Sequence, residues 1–146
     1  MRAPAPGRDH RALIDTSAFY ALTDDGDRHH EEARAILGRL AAERWRLFTT
    51  NFILAETHAL ILARLGRILA ARVLQDIDRG SVTIVRVAAV DERRAREIIA
   101  QYQDKDFSLT DATSFAVVER LHIARAFAFD QHFAQYGLTL LRAEDR

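Results

Sequence analysis

Short apolar runs and longer stretches with a helical repeat alternate along this chain. Ala12, Leu13 and Ile14 run apolar into Asp15, Thr16 and Ser17, as in a buried strand that ends in a polar loop. Over residues 29–43 the apolar positions Ala33, Ile36, Leu37, Leu40 and Ala41 recur at helical spacing, which predicts an amphipathic helix with Asp27 as its N-cap. Leu47, Phe48 and Thr49 form a short strand candidate. Asn51 then caps a helix whose inner side carries Ile53, Leu54, Thr57, Leu60 and Ile61. Gly66 breaks this helix, and a second follows over residues 67–79 with Ala70, Val73, Leu74 and Ile77 inward and Gly80 beyond its end. The β-branched stretch 82–87 predicts a strand, and Ala95, Ile98, Ile99 and Tyr102 mark another helix. After a polar connection, Ser108 and Asp111 stand at capping-box spacing before a helix with Phe115, Val118 and Leu121. Residues 126–129 and 138–141 supply a fourth and a fifth strand.

Strands alternating with helices imply an α/β fold: an α/β/α sandwich around a parallel sheet of about five strands, joined by right-handed crossovers. In such folds ligands gather at the carboxyl ends of the strands. Asp15 and Asp130 each stand where an apolar strand stops, and Glu56 and Asp111 lie in early turns of helices that start from the same end. Each acid has an ordinary structural role available. Asp15, Asp111 and Asp130 are all placed to cap helices, and Glu56, at the margin of an apolar stripe, is placed to sit on an exposed rim. Four acids from four separate elements at one sheet end are harder to explain as independent caps.

Composition narrows the chemistry. With 146 residues, 49% of them hydrophobic and 29% charged, the chain suits one folded domain over residues 12–146, and the opening 1–11 suits a short disordered leader. Cysteine is absent, which removes disulfides, thiolate nucleophiles and cysteine-held zinc and suits a reducing cytoplasm. No apolar run approaches the roughly 18 residues of a membrane span, so no membrane partner is expected. The 21 basic and 21 acidic residues cancel, so attraction to a polyanion has to be local. Lys105 is the only lysine; arginine supplies the other cations and can grip phosphate with paired hydrogen bonds.

The ordered set Leu-Ile-Asp-Thr-Ser-Ala-Phe at residues 13–19, Asn-x-x-x-x-Glu at 51–56, Asp-x-Ser-x-Thr-Asp-Ala-x-Ser-Phe-Ala at 106–116 and Phe-Asp-x-His-Phe at 129–133 resembles PIN domains, and among them VapC-type toxins. The resemblance covers residues 12 to about 142. It implies a magnesium- or manganese-dependent endoribonuclease, often a homodimer, inhibited by a small antitoxin protein. It puts Asp15, Glu56, Asp111 and Asp130 in the places of the family's acidic metal ligands and Ser17 in that of a nearby hydroxyl, with Thr110 and Asp106 as further companions. The chemistry agrees, since hard cations prefer carboxylate oxygens and can polarise a scissile phosphate and activate water. Such cleavage would leave a 5′-phosphate and a 3′-hydroxyl.

Competing functions fit less well. A haloacid-dehalogenase-type phosphatase needs a second aspartate where Ser17 stands. A response-regulator receiver needs a central aspartate where Arg86 and Val87 stand. A non-catalytic acidic module that binds RNA or protein, and a free-standing RNA-processing nuclease without an antitoxin, remain the alternatives. His29, His30, His58, His122 and His132 are expected to pack or face solvent rather than ligate.

Overall fold

The computed structural model describes residues 9–144. In chain order the elements are β1 (Arg11–Ile14), α1 (Thr16–Thr23), α2 (His30–Ala42), β2 (Arg46–Thr50), α3 (Asn51–Leu65), α4 (Arg67–Arg79), β3 (Thr83–Val85), α5 (Ala89–Gln101), α6 (Leu109–Leu121), β4 (Arg125–Phe127), α7 (Gln131–Tyr136) and β5 (Thr139–Leu140). The sheet has five strands in the order β3-β2-β1-β4-β5, and every pairing is parallel. Ala12, Leu13 and Ile14 are all buried although neighbouring strand residues point to opposite faces, so both faces of the sheet are covered there. This is the expected α/β/α sandwich.

The core joins those residues to Phe48, Phe115, Phe127 and Phe133. Helix α6 is deeply enclosed, with every residue from Asp111 to Val118 buried. At Gly66 the φ of 94° is a conformation that side chains disfavour, and it turns α3 into α4 as one helical hairpin. No helix among the described residues is long and apolar enough to cross a membrane.

Several boundaries differ from expectation for identifiable reasons. Thr50, rather than Asn51, caps α3 by accepting from the Ile53 amide, which frees the Asn51 side chain to accept from the Val87 amide at 2.8 Å. The N-cap of α2 is His29, and Asp27 instead accepts a hydrogen bond from the His29 amide. The polar loop expected after Ile14 is helical at once, because Asp15 caps α1. Residues 1–8 of the expected leader lie outside the described residues, whereas Arg11 already belongs to β1. Its guanidinium donates to Asp9 and to the carbonyls of Leu121 and His122.

Candidate active site

The carboxyl end of the sheet is built around Asp15. The strand delivers it into the core, where its side chain is only 4% exposed, and its backbone is extended so that it ends β1 and starts α1. Its Oδ2 accepts from the Ser17 hydroxyl at 2.8 Å and from the Ser17 amide at 3.2 Å. Burial pushes the Asp15 carboxyl up to about 7 against the pull of these hydrogen bonds, and the Glu56 charge adds to the rise. The Ser17 hydroxyl also accepts from the Phe129 amide at 2.9 Å, while the Asp15 amide donates to the Phe127 carbonyl. The two strand ends that carry Asp15 and Asp130 are thereby tied together.

Buried hydroxyls tie α3 to the same point. Thr57 donates to Thr16 at 3.1 Å, and Thr49 donates to the Ile14 carbonyl. Glu56, next to Thr57, is exposed on the second turn of α3. Its charge reaches Asp15.

The second half of the site comes from α6 and α7. Ser108 and Asp111 form the expected capping box: the Ser108 hydroxyl accepts from the Asp111 amide, and Asp111 Oδ2 accepts from the Ser108 amide. Asp130 caps α7 by accepting from the His132 amide at 2.9 Å. That cap aims the His132 ring at both acids, with Nδ1 2.8 Å from Asp111 Oδ2 and 3.5 Å from Asp130 Oδ1. One ligand-type atom from each of Asp111, Asp130 and His132 lies within 4.8 Å of the others.

His132 thus contacts two of the candidate acids, in addition to the packing or surface role expected of it. The sequence did hold a signal, since an Asp-x-His pair at a helix start lets one residue cap while the other turns back beside it. What periodicity could not show was Asp111, 21 positions away, on the far side of the ring. The other histidines serve as expected or are taken up structurally: His30 Nδ1 meets the Ala21 carbonyl at 2.8 Å, and His122 ends α6 in the left-handed conformation. Of the companion residues, Ser17 joins the site directly. Thr110 is half-buried, and its carbonyl accepts from the Thr113 and Ser114 hydroxyls. Asp106 is exposed on the connection before α6 and stands outside the three-residue cluster.

The donor set is oxygen-rich with a single imidazole, the kind that suits a hard divalent cation. Asp15 also fits one. Its buried carboxylate is met by hydroxyl and amide hydrogens and, among the described residues, by no basic side chain, so a cation beside it would relieve the cost of burying charge.

Comparison with known proteins agrees with this architecture. The PIN domain family model matches residues 12–138. The 23S rRNA-specific endonuclease VapC20 of Mycobacterium tuberculosis is 35% identical over 135 residues, covering 90% of this chain and 98% of that protein. A VapC ribonuclease of Archaeoglobus fulgidus is also 35% identical, over 84% of this chain and 79% of its own length. The crystal structure of VapC20, described as a sarcin-ricin loop cleaving toxin, superposes with a TM-score of 0.82 at 32% identity, covering 90% of this chain and 98% of that one. By sequence and fold, the chain belongs to the PIN-domain family and is a relative of the VapC ribonucleases.

Proposed function

We propose that this protein is a magnesium- or manganese-dependent endoribonuclease, the toxin of a toxin-antitoxin pair, carried on one PIN domain over residues 12–146 and acting in the cytoplasm. The observation that carries the reading is the convergence of Asp111, Asp130 and His132 within 4.8 Å, at the sheet end where Asp15 is buried. Asp15, Glu56, Asp111 and Asp130 hold the metal. Ser17 fixes the Asp15 carboxylate, and Thr110 and Asp106 support the rim. When bound, the ion polarises the scissile phosphate and makes water a better nucleophile.

The chain's own residues prepare that chemistry. Ser17 holds Asp15 Oδ2 in one orientation, and because burial raises the Asp15 carboxyl to about 7, a cation held there would favour its ionised form. His132, with its proton on Nδ1 toward Asp111, orients that carboxylate between the capping amide and the cleft. Buried Phe107 meets the His132 ring edge-on, centroids 5.5 Å apart, which restricts the ring's motion.

The substrate is single-stranded or looped RNA, because an A-form duplex hides its base edges in a narrow groove. Ribosomal RNA loops are the first candidates, given the 23S rRNA specificity of the relative at 35% identity. A toxin also requires an inhibitor, so a small antitoxin protein is the expected partner. Exposed Leu62 and Ile68, the latter 73% accessible, on the α3 and α4 hairpin support a homodimer or antitoxin contact.

The deciding experiment incubates the purified protein with RNA in magnesium, in manganese and in EDTA. Cleavage that requires the metal and leaves 5′-phosphate ends is expected; intact RNA under all conditions would reject the reading. Light scattering tests the dimer, and growth arrest on expression, relieved by a neighbouring small gene, tests the toxin pairing.

A further inference from the structure

A depression of about 250 Å³ opens beside Ser17 and Asp130, and Arg28, His29, Arg64 and Phe129 help to line it. Three observations make it more than a surface irregularity. First, Arg28 and Arg64 are exposed, and neither forms an ion pair with a carboxylate among the described residues. Arg64 lies over the Tyr20 ring at 5.3 Å, which restrains the guanidinium, and its charge is felt by the Asp24 carboxylate that the Tyr20 hydroxyl holds.

Second, Arg28 is held by a relay that begins at the acids. Its Nε donates to His29 Nε2 at 3.1 Å. His29 stacks on Phe129 with centroids 4.4 Å apart and planes 10° from parallel. The Phe129 amide donates to Ser17, and Ser17 donates to Asp15. Third, the chain carries no net charge, so nothing at long range draws a polyanion toward a cluster of carboxylates. Guanidiniums at the edge of that cluster are the local attraction such a site needs.

We infer that this depression is the RNA-backbone subsite of the enzyme: Arg28 and Arg64 grip the phosphate next to the scissile one, and His29 is a positioning residue that fixes Arg28. The inference rests on the ribonuclease reading and extends it to particular residues. Phosphate is favoured over a protein carboxylate because the depression runs up to Asp130 and Ser17, so whatever fills it is continuous with the reacting site.

The test is steady-state cleavage of a fluorescein-labelled single-stranded RNA in magnesium, from about 50 to 200 mM salt. Arg28→Ala and Arg64→Ala are each expected to raise KM by about tenfold, with kcat within about twofold of wild type. Each should also flatten the dependence of log(kcat/KM) on log salt by about 0.7, the share of one single-strand phosphate contact. His29→Ala should match Arg28→Ala, and the pair combined should be no worse than either, since they act as one unit. An unchanged magnesium-induced rise in Tm shows that the acids and the fold remain intact in every variant.

If wild type cleaves RNA while both arginine variants and their combination keep the wild-type KM and salt slope, the subsite is refuted and the ribonuclease reading stands. That result would leave an acidic protein segment as the arginines' ligand. If His29→Ala and Arg28→Ala add independently, the positioning role is refuted. If wild type cleaves no RNA under any metal condition, both readings fall together.

Discussion

Asp15 and Asp91 are both buried aspartates at the start of a helix, one as its N-cap and the other in its first turn, and they have been treated in opposite ways. Asp91 is 1% exposed at the start of α5, where Arg120 of α6 clamps it with two hydrogen bonds of 2.9 Å and the Ala88 amide adds a third. The Arg120 guanidinium holds its carboxyl below the usual carboxylate range. Asp15 is nearly as buried, receives only hydroxyl and amide hydrogens, and is driven up to about 7. A fold able to place arginine against one buried acid sets no basic side chain of the described residues against the other. Buried charge that is satisfied within the chain is structure; buried charge left wanting a cation marks a place where something binds.

The sharpest way to break the comparison is by activity. Asp15→Asn keeps a good capping residue but removes the charge, and RNA cleavage is expected to fall by roughly a thousandfold or more, the equivalent of several kcal/mol of transition-state stabilisation. Asp91→Asn should leave kcat unchanged in the same assay. Equal losses in the two variants would place both acids in the same structural class.

Stability comes next. Because the folded Asp15 carboxyl is raised, folding favours its protonated form, so its contribution is fully present below about 4, is lost as pH rises toward about 7, and is flat above that. Metal-free Asp15→Asn should therefore exceed wild type at pH 8 by up to about 4 kcal/mol, the free energy of a rise from 3.8 to about 7, and the gap should close as pH falls toward 4. Urea melts in EDTA across that range measure it, and millimolar magnesium should close the gap at pH 8 by binding only the folded wild type. A variant less stable than wild type at pH 8 would show that Asp15 is only a cap. For Asp91 the sign reverses. Arg120→Ala leaves a buried acid unpaired and should cost on the order of 2 to 3 kcal/mol at neutral pH, because Arg120 itself is partly solvated. That loss should shrink below pH 4 as Asp91 takes up a proton.

The smallest expected effect lies at Ser17. Ser17→Ala removes one bond to Asp15 and one from the Phe129 amide and should cost about 1 to 2 kcal/mol. It also removes an interaction that lowers the Asp15 carboxyl, so the magnesium concentration needed for half-maximal cleavage at pH 7 should rise. An unchanged magnesium requirement would limit Ser17 to holding the strands together.

How much of this was legible in the sequence depended on how local each cause was. The strands and most helices followed from runs of Ala12, Leu13 and Ile14 or the Ala70, Val73, Ile77 stripe, because periodicity is a property of neighbours. The capping box at Ser108 and Asp111 was legible for the same reason. The choice of Thr50 over Asn51 as a cap was not, since it turned on the Val87 amide, 36 residues away, claiming the Asn51 side chain. His132 and the stack of His29 on Phe129 were hidden likewise, each being defined by a partner that only the closed sheet brings near.

The order of the strands has a consequence for how the molecule comes into being. β1 is translated first yet lies in the middle of the sheet, and its neighbour β4 arrives only after three-quarters of the chain has been made. The Ser17 to Phe129 bond spans 112 residues, a loop whose closure is entropically costly and slow. A nascent chain can pair β1 with β2 and raise the α3 and α4 hairpin, but it cannot assemble Asp15 with Asp130. A growing chain still on the ribosome thus keeps Asp15 apart from Asp130 until the segment that carries β4 has been made.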